Sequence, residues 1–188
     1  MIKIGLVGED PSDTTSIINL LNKKYKSKAK FKVLLKTKDG NQLDIPRLNE
    51  ALGIEFKDNK CNFVIYIRDL DSYPTDKKAI KKRYEWFNKM DSHANGKGLF
   101  LLNIWELEAL ILADIDGFNK HYRVNYKFKG NPIYQKEPKE ALQRQARLVK
   151  KEFKPRHCPA IFAKLNLDTV RKNCGYFNEF IAQLDSRI

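Results

Sequence analysis

Four short apolar runs, each followed by a stretch of helical periodicity, constrain this chain more than any other feature. Residues 3–9 alternate into a buried first strand. Residues 31–37 form a second strand, ended by Asp39-Gly40-Asn41. Residues 61–68 are rich in β-branched and aromatic side chains and form the third. Residues 99–104 form the fourth. Asp10-Pro11-Ser12 is a turn, and Ser12 caps a first helix whose core stripe is Ile17, Ile18, Leu20 and Leu21. Asp44-Ile45-Pro46 opens a second helix carrying Leu48 and Leu52. Thr75 caps a third over residues 76–90. Residues 105–114, apolar apart from two inserted glutamates, form a fourth. Strand and helix alternating at this spacing imply right-handed crossovers and an α/β fold, with a mostly parallel sheet flanked by helices. Reactive groups in such sheets gather at the carboxyl ends of the strands.

After residue 116 the texture changes. The expected organisation is an α/β core over residues 1–116 and a basic, aromatic, helical extension over 117–188 packed on it. A helix over residues 138–153 would put Leu142, Ala146, Val149 and Phe153 on one face and Arg144, Arg147, Lys151 and Lys154 on another. Residues 166–185 read as a last helix. No internal repeat or low-complexity linker interrupts the chain. At 188 residues and 42% hydrophobic, it has the size and the apolar content for one packed unit. No apolar run approaches the roughly 18 residues of a membrane span. The first residues read as a strand, not a leader. Cys61, Cys158 and Cys174 are scattered and odd in number, so neither a disulfide framework nor a zinc pattern is expected. A cytoplasmic location follows as the simplest expectation.

The acidic residues fall where this fold places chemistry. Glu9 ends strand one, Asp69-Leu70-Asp71 ends strand three, and Glu106 and Glu108 follow strand four. Carboxylates two apart on extended backbone point to one side, so Asp69 and Asp71 can share one metal or bracket two. Hard oxygen ligands favour Mg²⁺ or Mn²⁺. The plainer account is that these residues are helix caps and solvated strand ends, and Asp10 and Asp13 read as caps. Two apart on a helix, Glu106 and Glu108 cannot share a face. One then faces the site and the other faces solvent or a basic partner.

Glu9 at the end of strand one and the Asp69/Asp71 pair resemble the Toprim pattern of topoisomerases, primases and OLD-type nucleases. The chain is more closely similar to a small stand-alone Toprim-like bacterial family of unknown function. That family carries E-G-x-[ST]-[DE], a DxD, and an E-x-E-A-W-L-L-A-D-like segment. Here these are Glu9-Asp10-Pro11-Ser12-Asp13, Asp69-Leu70-Asp71, and Glu106-Leu107-Glu108-Ala109-Leu110-Ile111-Leu112-Ala113-Asp114. Glu137-Pro138-Lys139-Glu140-Ala141-Leu142 resembles its D-P-K-x-x-L segment, and residues 168–177 resemble its closing helix. Asp10 stands where the family has Gly, and Leu110 where it has Trp. A positive φ at residue 10 would suit Gly better than Asp. The resemblance implies general acid/base work for Glu9 and metal binding by Asp69 and Asp71, with Glu108 and Glu106 as auxiliary ligands. It implies Mg²⁺- or Mn²⁺-dependent phosphodiester hydrolysis, a separate ABC/OLD-type ATPase partner, and a role in bacterial phage defence.

Charge supports an anionic partner. Lys and Arg total 36 against 23 Asp and Glu, a formal +13. Such an excess favours DNA or RNA over a membrane. Residues 120–156 hold twelve of the cations and three acids, interleaved with Tyr122, Tyr126, Phe128 and Tyr134. Lys127, Lys129, Arg144, Arg147, Lys151 and Lys154 would track phosphates, and the rings would stack bases. Arg68, beside the DxD, would contact a phosphate or sit in an ion pair. The alternative for the basic stretch is a solvated helix face over core aromatics. No Gly-rich phosphate loop or nucleophile motif is present. A non-catalytic nucleic-acid- or partner-binding module is the main competing function. A haloacid dehalogenase-type phosphatase would need Thr where Tyr73 stands. A phospho-receiver with Asp69 as acceptor fits the basic charge poorly. A homo-oligomer stays open.

Overall fold

A computed structural model describes residues 1–36 and 40–188. Four strands, β1 (Ile2–Val7), β2 (Ala29–Val33), β3 (Phe63–Asp69) and β4 (Leu99–Asn103), form one sheet in the order β2-β1-β3-β4. Every pairing is parallel. The α/β expectation therefore holds. β3 is buried from Phe63 through Arg68, as expected of a central parallel strand covered on both faces. The edge strand β2 instead alternates, with Lys30 and Lys32 exposed. Lysines on an edge discourage pairing with another sheet.

The sheet divides two cores. On one face α1 (Pro11–Tyr25) packs Ile17, Leu20 and Leu21 against Ile4, Leu6, Ile65 and Leu101. The same cluster includes Phe118, Leu142, Phe153, Phe162, Val170, Phe177 and Phe180, so the later part of the chain shares the core of the first. It does so through α4 (Ala109–Ala113), α5 (Ile115–Tyr122), α6 (Pro138–Leu148), α7 (Cys158–Phe162), α8 (Leu167–Asn173) and α9 (Gly175–Asp185). On the other face α2 (Pro46–Asp58) and α3 (Lys77–Asp91) cover Val7, Val64 and Tyr66.

Several boundaries differ from the sequence expectation. α1 is capped by Asp10, not Ser12. Asp10 accepts from the Ser12 amide, and Asp13 accepts from the Asp10 amide, a reciprocal capping box. The backbone at Asp10 is extended, with φ −131°, so no glycine is needed there. Asp76, not Thr75, caps α3. β2 begins at Ala29 and ends at Val33; the expected strand end Thr37 and the turn residue Asp39 lie outside the described residues. The helix expected over 105–114 starts only at Ala109, because Trp105 adopts φ +61° and residues 104–108 form a loop. α6 stops at Leu148, leaving Val149 exposed and Phe153 buried in the following segment. The last expected helix is two, broken at Cys174. Cys61, Cys158 and Cys174 are free and buried. Among the described residues no helix is long and apolar enough to cross a membrane.

Candidate active site

The strand order places a switch point between β1 and β3. From β1 the chain crosses to β2 on one side; from β3 it crosses to β4 on the other. Crevices at such points, beyond the carboxyl ends of the strands, are where α/β sheets bind ligands. Glu9 follows β1 and Asp69 ends β3, so they face each other across it. The Asp69 amide donates to Glu9 Oε1 at 3.4 Å.

Consecutive residues of β3 point to opposite faces. Arg68 turns toward the α2/α3 face and is only 3% exposed. Its Nε donates to Glu9 Oε1 at 3.1 Å. Its terminal nitrogens fork onto Asp44 at 2.8 and 3.0 Å, and one also reaches the Gly40 carbonyl. The guanidinium stacks on Trp86, 4.6 Å from the ring centre. Trp86 is held in turn through the Leu43 carbonyl. Gly40 lies so close to Glu9 that a Cβ there would meet a carboxylate oxygen at 2.5 Å. Burial raises the Glu9 pKa, and the Arg68 charge opposes that rise. Arg68 is therefore a buried clamp on Glu9, not a surface phosphate contact.

Asp69 turns the other way. Its carboxylate accepts from Asn103 Nδ2 at 3.0 Å, from the last residue of the neighbouring strand β4. Glu108 is buried on the same face, 5% exposed. Cys158, at the start of α7, lies with its sulfur 3.9 Å from Glu108 Oε1. Asp13, one turn into α1, completes the group. Desolvation raises Asp13 to about 8, and the neighbouring Glu108 adds to the rise. Burial pushes Glu108 up to about 7, with Glu106 adding. Burial, then Asp13 and Glu108, hold Asp69 well above the carboxylate range. The Cys158 thiol is also raised, by burial and then by Glu108. These groups thus hold protons near neutral pH unless a cation offsets their repulsion.

The other predicted acids stand outside this group. Asp71 does not share a face with Asp69, because it adopts φ +55°. The Leu70 and Asp71 amides bond the Asn103 and Trp105 carbonyls, which bends the chain off the strand path. The Asp71 side chain is 62% exposed and pairs with Arg83 at 3.0 Å. Glu106 and Glu108 lie in a loop and not on a helix. Glu106 takes a basic partner, Lys139, at 2.6 Å and also accepts from the Lys139 amide. Asp114 accepts from the Asn166 amide.

Of the basic set, Lys127, Lys129, Arg144, Arg147 and Lys151 are exposed, and Lys154 is half-buried and paired with Glu152 at 2.9 Å. The Lys151 ammonium donates to the Tyr122 carbonyl. The interleaved rings do not form a stacking platform. Tyr122 is buried, Tyr126 and Phe128 pack against the core, and only Tyr134 of the four is exposed.

The donor chemistry of Glu9, Asp13, Asp69 and Glu108 suits a hard divalent cation. Among the described residues, however, no three carboxylate, imidazole or thiol groups are drawn together as a ready-made cage. Mg²⁺ sites of phosphoryl chemistry use one or two carboxylates, with substrate phosphates and water completing the shell. The residues fit that looser kind of site. In the sequence Asp13 reads as a cap and as the last residue of the Glu9–Asp13 motif, and nothing there marks Asn103, Asp44 or Cys158 as site residues. Asp13 is four residues after Glu9, and that spacing was the available signal. Asn103, Asp44 and Cys158 come from remote segments and had none.

The family model described as a domain of unknown function (DUF4276) matches residues 8–185. The chain belongs to the DUF4276 family. The match takes in Glu9, Asp13, Asp69, Asn103, Glu108 and Cys158, so the whole carboxylate group lies inside the DUF4276 domain. No curated protein and no solved structure matches the chain.

Proposed function

We propose that this DUF4276 protein is a Toprim-type, divalent-metal-dependent phosphodiesterase acting on DNA or RNA. The observation that supports it is the convergence of Glu9, Asp13, Asp69 and Glu108 at the switch point of a parallel sheet. Asp69 with one neighbouring carboxylate, Asp13 or Glu108, would hold Mg²⁺ or Mn²⁺, substrate phosphate and water completing the shell. Such an ion, when bound, supplies water activation and stabilisation of the leaving oxygen. Glu9, kept oriented by Arg68, would take the proton of the attacking water. Asn103 fixes the Asp69 carboxylate through its amide. A separate OLD-type ATPase partner, a role in phage defence and a cytoplasmic location belong to the same proposal. Calorimetric titration of Mg²⁺ and Mn²⁺ tests the first step. Heat seen with the wild type and lost in Asp69→Asn is expected, together with divalent-dependent cleavage of labelled nucleic acid that Glu9→Gln abolishes.

A second reading, a non-catalytic binding module, is favoured by Asp71 and Glu106. Both are committed to basic partners, Arg83 and Lys139. If neither metal binds with nucleic acid present and no cleavage occurs, that reading replaces the first.

A further inference from the structure

A second cluster of charge lies at the other end of α1. Lys23, Lys24, Lys120, Lys164 and Arg171 line a cleft of about 600 Å³, and Asp168 is the one acid among its lining residues. An adjoining cleft of about 480 Å³ shares Lys23 and Lys24 and adds Lys26. The five lysines are exposed. Lys24 pairs with Asp185, Lys23 bonds the Ala163 carbonyl, and Arg171 lies 3.8 Å from Asp168. The Lys120 and Lys164 ammonium groups make no ion pair or hydrogen bond among the described residues. Helix dipoles account for cations in the last turns of α1, α5 and α8 one at a time. They place Lys164 too, just after the end of α7, but they do not account for the convergence of all five on one concavity. Like charges so gathered repel, and an anion relieves that repulsion.

We infer that this cleft binds the phosphodiester backbone of double-stranded nucleic acid. Lysines are monodentate point charges that suit phosphates presented in series. The cleft has no aromatic lining residue, and its Leu165 and Leu167 are buried. Single strands are typically held by stacking their bases on aromatic rings; a duplex keeps its bases stacked inside and turns its phosphates outward. Contact of this kind is independent of sequence. From Asp13 to Lys23 is ten residues of α1. At the helical rise that is about 15 Å. A phosphate held at Lys23 is then four or five backbone steps, at about 3.4 Å per step, from Asp13 along the helix axis. The inference stands on this cleft and does not need the metal chemistry.

Fluorescence anisotropy of a short labelled DNA duplex in excess chelator tests it. Lys120→Ala/Lys164→Ala is expected to weaken binding about ten-fold or more at ~0.1 M salt, and to flatten the slope of log K against log salt by about two. Lys57→Ala/Lys89→Ala removes the same charge from exposed positions on α2 and α3 and should leave that slope in place. Circular dichroism and melting confirm that both variants are folded. Equal losses in the two double variants overturn the inference. So does wild-type preference for single strands over duplex, or binding of tripolyphosphate or anionic vesicles without duplex binding. Because no divalent ion is present, failure here leaves the cleavage proposal standing, and failure of cleavage leaves this one standing.

Discussion

Arg68 concentrates the energetics of single side chains here. Its charge is buried and is balanced by Glu9 and Asp44, with Trp86 beneath it. Removing the guanidinium strands Glu9, which is partly buried, while Asp44 stays largely solvated, so Arg68→Ala should cost about 1–3 kcal/mol, read by denaturant melts. Arg68→Lys keeps the charge and loses the fork, and should recover only part of that cost. Asp13 behaves oppositely. Its carboxylate is disfavoured by desolvation and by Glu108. Asp13→Asn should therefore raise the stability of the metal-free protein at pH 8 and change it little at pH 4, seen as a shift in Tm at the higher pH alone. Of these residues, Glu9 and Asp69 were legible from their places after apolar strands. Asp44 was not, because an aspartate before Ile-Pro reads as local turn chemistry, and its partner lies 24 positions along the chain.

Elements were legible wherever periodicity was strong and poorly legible where apolar runs lacked punctuation. The apolar segment 105–114 has no glycine or proline to mark its loop. The loop forms because the Asp71 amide bonds the Trp105 carbonyl, and both residues take positive φ where β3 and β4 end side by side. That pairing sends Asp71 outward and Glu108 inward, a division invisible to a rule based on spacing alone. At the start of α1 the reciprocal cap is local, and its worth is predictable. Asp10→Ala should lower stability by about 1 kcal/mol, whereas Asp10→Gly should cost only a few tenths. Thermal melts of the two variants separate them. A loss from Asp10→Gly as large as that from Asp10→Ala would show that more than the cap depends on this side chain.

For the whole molecule, the raised carboxyls set a pH dependence. Asp13 and Glu108 titrate near 8 and 7 in the folded protein. Unfolded carboxyls titrate at about 4. Between those values the native state holds protons that the unfolded state has released, so metal-free stability falls as pH rises. For Asp13 and Glu108 the fall begins above about pH 4 and runs through pH 7 and 8, and the raised Asp69 carboxyl adds to it. Tm should drop over that window without divalent ions and recover at its alkaline end when Mg²⁺ is added; a flat profile would argue against the shared burden of the cluster. The sequence by itself determined the α/β class, the parallel sense of the sheet and the acidic strand ends, because hydrophobic periodicity and crossover handedness are local in origin. Only the tertiary structure decided which acids meet. Asp69 joins Asp13 and Glu108 because neighbouring strands and α1 bring remote segments together, while a positive φ removes Asp71. The same packing gathers Lys23, Lys120 and Lys164 into one cleft, although each alone reads as an ordinary surface lysine.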